Sequence, residues 1–231
     1  MTSYAKPLFI VSGASRGLGK SLVSHIRGQG WACMTLGRSP SDTFQVDFSE
    51  PLQFGEIREQ IKARIDTAFG ETDVVVLVNN AAVMGTIAHI GHLGEREIYE
   101  SGNVNFLMPL MLGNFVASLG RSYLIVNIIS GAAYTHNEGL SLYSATKRGM
   151  ISFFEIAKKE TEGDPNCVDI VQFDPGVMDT DMQKELRKPS PYFKRYGEFE
   201  AMKQSGKLKK PDAVARELIT KIEEILQHEK N

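Results

Sequence analysis

Cysteine is scarce in this chain, and the two it has, Cys33 and Cys167, are far apart. Two isolated thiols cannot build the disulfide framework of a small secreted domain, and no paired zinc-ligand spacing occurs. Each sits in or beside an apolar, strand-like run, so both read as reduced structural thiols, because a free Cys packs as a small hydrophobe. The five histidines form no HExxH pattern, so no metal site is expected. No apolar run approaches the roughly 18 residues that a membrane span needs. An excess of one charge is missing too: the net charge is −2, and the one short basic cluster is Lys207-Leu208-Lys209-Lys210. That balance argues against a nucleic-acid partner or a polybasic membrane patch. The first residues lead almost directly into the apolar run Pro7-Leu8-Phe9-Ile10-Val11, without the layout of a secretory signal. The expectation is a cytoplasmic protein, with residues 1–231 forming one domain without repeats or low-complexity linkers.

What is present is an alternation of strand-like and helix-like stretches. Leu8–Ser12 is a short apolar run closed by glycines, and Leu18, Leu22 and Ile26 follow at helical spacing. Trp31–Leu36 and Phe44–Val46 read as strands, and Ile57, Ile61, Ile65 and Phe69 form the stripe of a helix packed on a sheet. Val74–Val78 is a continuous apolar run, β-branched except at Leu77, suited to a central parallel strand buried on both faces. A long helix is expected from Glu95 to Leu119, a strand from Tyr123 to Ile129, a helix from Tyr143 to Glu160 and a strand from Val168 to Phe173. Val214, Leu218, Ile222 and Ile225 mark a last helix after Pro211. The order β-α-β-α-β-α-β-α-β-α-β is that of an α/β, doubly wound Rossmann-type parallel sheet.

The first strand runs into Ser12-Gly13-Ala14-Ser15-Arg16-Gly17-Leu18-Gly19 and then a helix. Glycines there let the backbone turn tightly and approach a pyrophosphate, while the helix N-terminus offers free N–H groups and a positive dipole end. A glycine-rich turn alone is a weak signal; its place between a buried strand and an amphipathic helix strengthens it. The second strand ends Leu36-Gly37-Arg38-Ser39, with no carboxylate to accept from a ribose 2′-OH. Arg38 can pair with a 2′-phosphate, and Arg16 is a second cation of that kind, so NADP(H) is the expected dinucleotide. Tyr143-Ser144-Ala145-Thr146-Lys147 places a phenol and an ammonium on one helix face. An ammonium beside a phenol favours the phenolate and lowers its pKa from about 10, fitting the pair for proton transfer.

The spacing G-x-x-x-G-x-G, together with the Y-x-x-x-K pair, resembles the short-chain dehydrogenase/reductase family; Ser12 stands where the family has Thr. The resemblance extends to about Gln183. It implies that Gly13, Ser15, Arg16, Gly17, Leu18 and Gly19 cradle the cofactor phosphates and that Asp47 meets the adenine. It also implies that Asn79-Asn80-Ala81-Ala82, close to the family's N-N-A-G, lines the cofactor. Ser130 matches the catalytic Ser that holds the substrate oxygen, and Asn105 matches the helix Asn that supports a water and proton relay near the Lys. Asp174-Pro175-Gly176-Val177-Met178-Asp179-Thr180 resembles the P-G-x-x-x-T that holds the nicotinamide carboxamide, through the backbone near Val177 and the Thr180 side chain. The implied chemistry is carbonyl reduction by NADPH, with Tyr143 as proton donor, Lys147 lowering its pKa and gripping the ribose, and Asn105 linking to solvent.

Residues 175–183 and Gly206-Lys207-Leu208 resemble the sepiapterin reductase and benzil reductase branch, whose substrates are vicinal dicarbonyls. Other readings of the same residues are a ketoreductase of sugars or acyl thioesters, or a non-catalytic NADP(H)-binding sensor. Relative to many family members, a last strand after the helix from Val214 is not expected, and a homodimer through the helices near 95–119 and 143–160, or a monomer, is. Residues 178–210 are the least regular and are expected to form a substrate lid. Met178, Met182, Tyr192, Phe193 and Tyr196 there either line an apolar pocket or pack the lid down. His136 and Asp174 have no assigned role.

Overall fold

The structure is a computed structural model that describes residues 6–68 and 73–228; Phe69 of the expected helical stripe lies outside them. Its strands are β1 (Pro7–Ser12), β2 (Ala32–Gly37), β3 (Phe44–Gln45), β4 (Val74–Asn79), β5 (Tyr123–Ile128) and β6 (Cys167–Phe173). The helices are α1 (Gly17–Gly28), α2 (Phe54–Ala68), α3 (Glu95–Gly102), α4 (Met108–Ala117), α5 (Ser141–Glu160), α6 (Asp181–Leu186), α7 (Tyr196–Gln204) and α8 (Pro211–His228). The six strands form one parallel sheet in the order β3-β2-β1-β4-β5-β6. The doubly wound α/β architecture read from the sequence is therefore the observed one.

Strand alternation divides the interior in two. Leu8, Ile10, Val75, Leu77, Tyr123 and Ile125 point to one face and pack with Ile61 and Ile65 of α2, Leu112 of α4 and Met150 of α5. Phe9, Val11, Val76, Val78, Leu124 and Val126 point to the other face and pack with Leu22 and Ile26 of α1 and with Leu218 and Ile222 of α8. Central strands buried on both sides meet apolar helix faces in both directions, which is why β4 reads as an unbroken apolar run from Val74 to Val78. Chain order reverses beside β1, with β2 on one side and β4 on the other. In such sheets a crevice opens at that reversal, beyond the carboxyl ends of the strands.

Two local departures from the sequence reading have physical causes. No helix lies between β2 and β3: residues 38–43, which include Pro40 and Asp42, make a short loop too brief for a helical crossover. The long helix expected from Glu95 to Leu119 is interrupted by a π-helical turn at Asn103–Leu107, between α3 and α4. Pro109 follows, and a proline has no N–H to donate to the carbonyl four residues back, which here is Asn105. Single π turns of this kind often mark functional positions. Among the described residues, no helix is long and apolar enough to cross a membrane.

Candidate active site

A cleft of about 1550 Å³ opens at the carboxyl ends of the strands, lined from the Gly13–Leu18 turn through Ser130 and Tyr143 to Thr180. That is larger than the space one small ligand usually occupies. The first wall is the β1–α1 turn. Gly13 has φ +69, donates its N–H to the Leu36 carbonyl at 2.8 Å, and sits so close to β4 that a Cβ would lie 2.8 Å from the Ala81 Cα. A Cβ on Gly19 would overlap the Gly13 carbonyl oxygen. The α1 N-cap, Arg16, is extended and makes no side-chain cap bond, and the first turn holds no acid. The residues therefore fit a phosphate-bearing ligand: the backbone is bare of side chains and the first-turn N–H groups are left to an incoming anion.

The hydroxyl of Ser12 explains why a side-chain oxygen precedes Gly13. It accepts from the backbone N–H groups of Asn80 and Ala81, both at 3.0 Å, tying the ends of β1 and β4 together. Asn80 donates from Nδ2 to the carbonyls of Ser12 (2.9 Å) and Gly13 (2.8 Å), so it braces the turn. Asn79 does not reach the cleft wall. It is buried inside the sheet and donates to Asn127 Oδ1 at 2.9 Å, because strand alternation turns neighbouring side chains to opposite faces. The cofactor contact expected for Asn79 is thereby corrected to a sheet contact; Asn80, Ala81 and Ala82 do line the cleft.

Arg38 is exposed on the cleft rim after β2, and Arg16 lies 4.0 Å from Asp181 with most of its side chain in solvent. The sequence reading found no acid at the end of β2, yet Asp42 folds back to that point. Its Oδ2 accepts from the Ser39 N–H at 3.0 Å and lines the cleft. A return this tight was not visible while a helix was expected between β2 and β3. Asp47 also lines the cleft. Burial pushes its carboxyl up, but the Ser49 N–H (3.0 Å), the Ser49 hydroxyl (2.7 Å) and the Arg38 charge outweigh that and hold it below its ordinary value. One of its oxygens therefore caps the following turn.

Tyr143 and Lys147 are both buried on α5. Lys147 Nζ donates to the Ile128 carbonyl at 2.8 Å, and burial lowers its pKa to about 8. Tyr143 shifts the other way. Burial raises its phenol above the ordinary value, a hydrogen bond from Ser130 opposes this, and the negative charge of Asp174 adds to it. The lowered phenol expected from the Tyr–Lys spacing is thus not what the fold produces: desolvation outweighs the stabilising contacts. Ser130 lies two residues beyond β5 and caps a short 3-10 turn, accepting from the Ala132 N–H at 3.2 Å.

Asn105 is fully buried in the π turn. Its Oδ1 accepts from the Val83 N–H and its Nδ2 donates to the Val83 carbonyl, both at 2.8 Å, and to Thr146 Oγ1 at 3.2 Å. Both amide hydrogens are used, so the side chain clamps the segment after β4 to the residue beside Lys147. It holds the residue beside Lys147 in position, with both ends of its amide engaged.

Beyond β6, Gly176 has φ +68, and its N–H donates to Asp174 Oδ1 at 2.9 Å. Asp174, without a role in the sequence reading, therefore builds the Pro175-Gly176 turn and sets the charge next to Tyr143. The segment continues as a short parallel pairing: Lys209 N–H donates to the Val177 carbonyl and Asp179 N–H to the Lys209 carbonyl, each at 3.0 Å. Thr180 caps α6 by accepting from the Gln183 N–H at 3.4 Å. The expected lid region consists of α6, α7 and this pairing. Met178 and Met182 line the cleft, whereas Phe193 packs with Leu140 and Leu186, Tyr192 lies against His89 and His92, and Tyr196 and His136 are exposed.

The lowered Lys147 pKa has a measurable consequence. Between its folded value of about 8 and its ordinary 10.5, the unfolded chain binds the proton more tightly, so this group's penalty on stability fades as pH rises. Lys147→Met removes the penalty at every pH. The melting temperature of the variant relative to the native chain is expected to be highest below pH 8 and to shrink steadily toward pH 10. A gap that does not change with pH in differential scanning would show that Lys147 is not a buried ammonium.

A family model described as short chain dehydrogenase matches residues 8–191. The chain is 29% identical over 227 residues to a benzil reductase ((S)-benzoin forming) of Bacillus subtilis, covering 94% of this chain and 93% of the relative. It is 25% identical to sepiapterin reductase of Mus musculus, over 86% of this chain and 85% of that one. Among solved structures, a short-chain dehydrogenase from Streptomyces avermitilis superposes with a TM-score of 0.73 at 21% identity, covering 95% of this chain and 84% of the other.

Proposed function

The chain belongs to the short chain dehydrogenase family and is an oxidoreductase acting on CH–OH and C=O groups, and from that premise we propose that it reduces one carbonyl of a vicinal dicarbonyl at the expense of NADPH. The observation that carries this reading is the convergence of Ser130, Tyr143 and Lys147 on the same cleft as the bare Gly13–Gly19 turn. The substrate class is supported by the relative that acts on benzil, a 1,2-diketone, and forms benzoin, in which one carbonyl has become an alcohol.

In this proposal the Gly13–Gly19 backbone and the start of α1 hold the pyrophosphate, Arg38 and Arg16 meet the 2′-phosphate, and Asp47 and Asn80–Ala82 line the adenosine side. Pro175, Gly176, Val177 and Thr180 hold the carboxamide end. When bound, the reduced dinucleotide supplies the hydride. Ser130 donates a hydrogen bond to the carbonyl oxygen that is to be reduced, and Tyr143 Oη gives that oxygen its proton. A phenol pushed above its ordinary pKa keeps its proton at neutral pH, which suits a general acid working in the reductive direction. Lys147 stays anchored by the Ile128 carbonyl and presents its charge beneath the phenol, while Asn105 fixes the backbone around it.

Arg38 separates the two dinucleotides. Arg38→Ala is expected to weaken NADPH binding by at least about 10-fold, the low end for losing a charge-assisted phosphate contact, with NADH binding unchanged. Equal effects on both, measured by fluorescence titration, would remove Arg38 from 2′-phosphate recognition. The substrate class is tested by NADPH oxidation against a 1,2-diketone, the matching monoketone, a sugar ketone and an acetoacetyl thioester. Preference for the diketone supports the reading, and preference for the thioester or sugar overturns it. Leu107, Phe153 and Ile156 are exposed apolar residues on the α4–α5 side, and they support extending the proposal to a homodimer across that face.

A further inference from the structure

Gln183, on α6, is a buried cleft residue to which the proposed reaction gives no role. The residue is 4% exposed and lines the cleft, yet neither Oε1 nor Nε2 has a hydrogen-bond partner among the described residues. A primary amide stripped of water with both ends unengaged is rare in folded proteins and costs stability. The local fold has no need of it: α6 is capped by Thr180 through the Gln183 backbone N–H, and an apolar side chain of similar length would fill the same volume.

The surroundings fix where this amide stands. Gln183 and Leu186 lie one turn apart on α6 and so share a face. Leu186 packs with Leu140 in a small apolar cluster, and Leu140 stands one turn before Tyr143 at the start of α5. All four residues line the cleft. The Leu140–Leu186 packing therefore ties α6 to the start of α5, so Gln183 and Tyr143 belong to walls of one cleft that a shared apolar cluster joins.

Resting on the dicarbonyl-reductase reading, we propose that Gln183 is a substrate-specificity residue that donates an Nε2 hydrogen bond to the second, unreacting oxygen of a vicinal dicarbonyl. Ser130 and Tyr143 hold the first oxygen, and Gln183 holds the neighbour. Two fixed oxygens define which carbonyl is reduced and which face of it is presented. A monoketone has no atom for Gln183 to hold, so it leaves the amide unengaged.

The test compares Gln183→Leu and Gln183→Glu with the native chain on a 1,2-diketone and its matching monoketone. NADPH binding and melting temperature are measured alongside. Gln183→Leu is expected to raise KM for the diketone about 10-fold, the cost of one lost neutral hydrogen bond at its upper range, with the monoketone KM little changed. Its melting temperature is expected to be equal or higher, because an unengaged buried amide has gone. Gln183→Glu keeps the shape but, once ionised, offers only acceptors, so its diketone KM is expected to rise with pH. An unchanged diketone preference in both variants, weakened NADPH binding, or equal losses on both substrates with a lowered melting temperature would each overturn the proposal. If the native chain reduces the monoketone but not the diketone, the dicarbonyl reading falls and this inference falls with it. That result differs from a native preference for the diketone that Gln183→Leu retains, which overturns the Gln183 assignment alone.

Discussion

Replacing Tyr143 by Phe is expected to cut turnover at least ~100-fold, the low end for losing a general acid, while leaving NADPH affinity within a factor of about 2. The argument rests on what the phenol oxygen touches. It is buried, the Ser130 hydroxyl favours its ionised form, and it feels the charge of Asp174. Phe retains the ring, which keeps the packing of α5 against the cleft. Only the proton and its acceptor oxygen are lost, so the loss belongs in kcat and not in dinucleotide binding. The direction of the Tyr143 shift adds a second signature. A phenol held above its ordinary pKa is protonated through neutral pH, and Lys147, lowered to about 8, is the first of the pair to lose its proton, so reduction is expected to hold through neutral pH and to fall in the alkaline range, as Lys147 and then the phenol lose their protons. Oxidation of the alcohol needs the proton-accepting form and is expected to rise over the same range. A variant with near-native turnover in a stopped-flow or steady-state assay would sink the assignment of Tyr143.

The second large effect is expected at Gly13. Its φ of +69 is a conformation that residues with a Cβ adopt at a cost of about 1–3 kcal/mol, and the added carbon would sit 2.8 Å from the Ala81 Cα, which is backbone and cannot swing away. Gly13→Ala must therefore push the β1–α1 turn off the end of β4, breaking the Ser12 and Asn80 hydrogen bonds that join them. The expected result is a melting temperature lower by several degrees, at about 2–4 °C per kcal/mol for a chain of this size, and a loss of dinucleotide affinity of at least ~10-fold. An alanine variant that melts and binds NADPH as the native chain does would contradict the turn as the phosphate cradle.

Much of this architecture was readable because it follows from burial. β4 is apolar from Val74 to Val78 since both faces of a central parallel strand meet helices, and the α2 and α8 stripes follow from the same sheet. The glycine turn and the Tyr143–Lys147 pair were readable because backbone approach and helical spacing leave fixed residue patterns. What was not readable depends on where a polar side chain finds its partner. Asn79 and Asn80 are adjacent, but alternation sends one into the sheet and the other to the turn. Asp42 escaped notice because a proline-containing loop, not a helix, carries it back to Ser39. Tyr143 was expected to be lowered by Lys147, yet burial moves both groups toward their neutral forms. The clamp that Asn105 makes on Val83 and Thr146 from the π turn before Pro109 depends on partners far away in the chain and left no local pattern. Gln183 closes the stretch 175–183 that carries the branch resemblance, but its distinguishing property, a missing partner, leaves no mark in the sequence.

The most direct measurement of the central claim is a reduction of a 1,2-diketone by the purified chain with NADPH carrying deuterium at the transferring position of the nicotinamide. The account predicts an α-hydroxy ketone with one deuterium on the new carbinol carbon, formed at the rate of NADPH oxidation. Tight NADPH binding without oxidation, or a product free of deuterium, would contradict it.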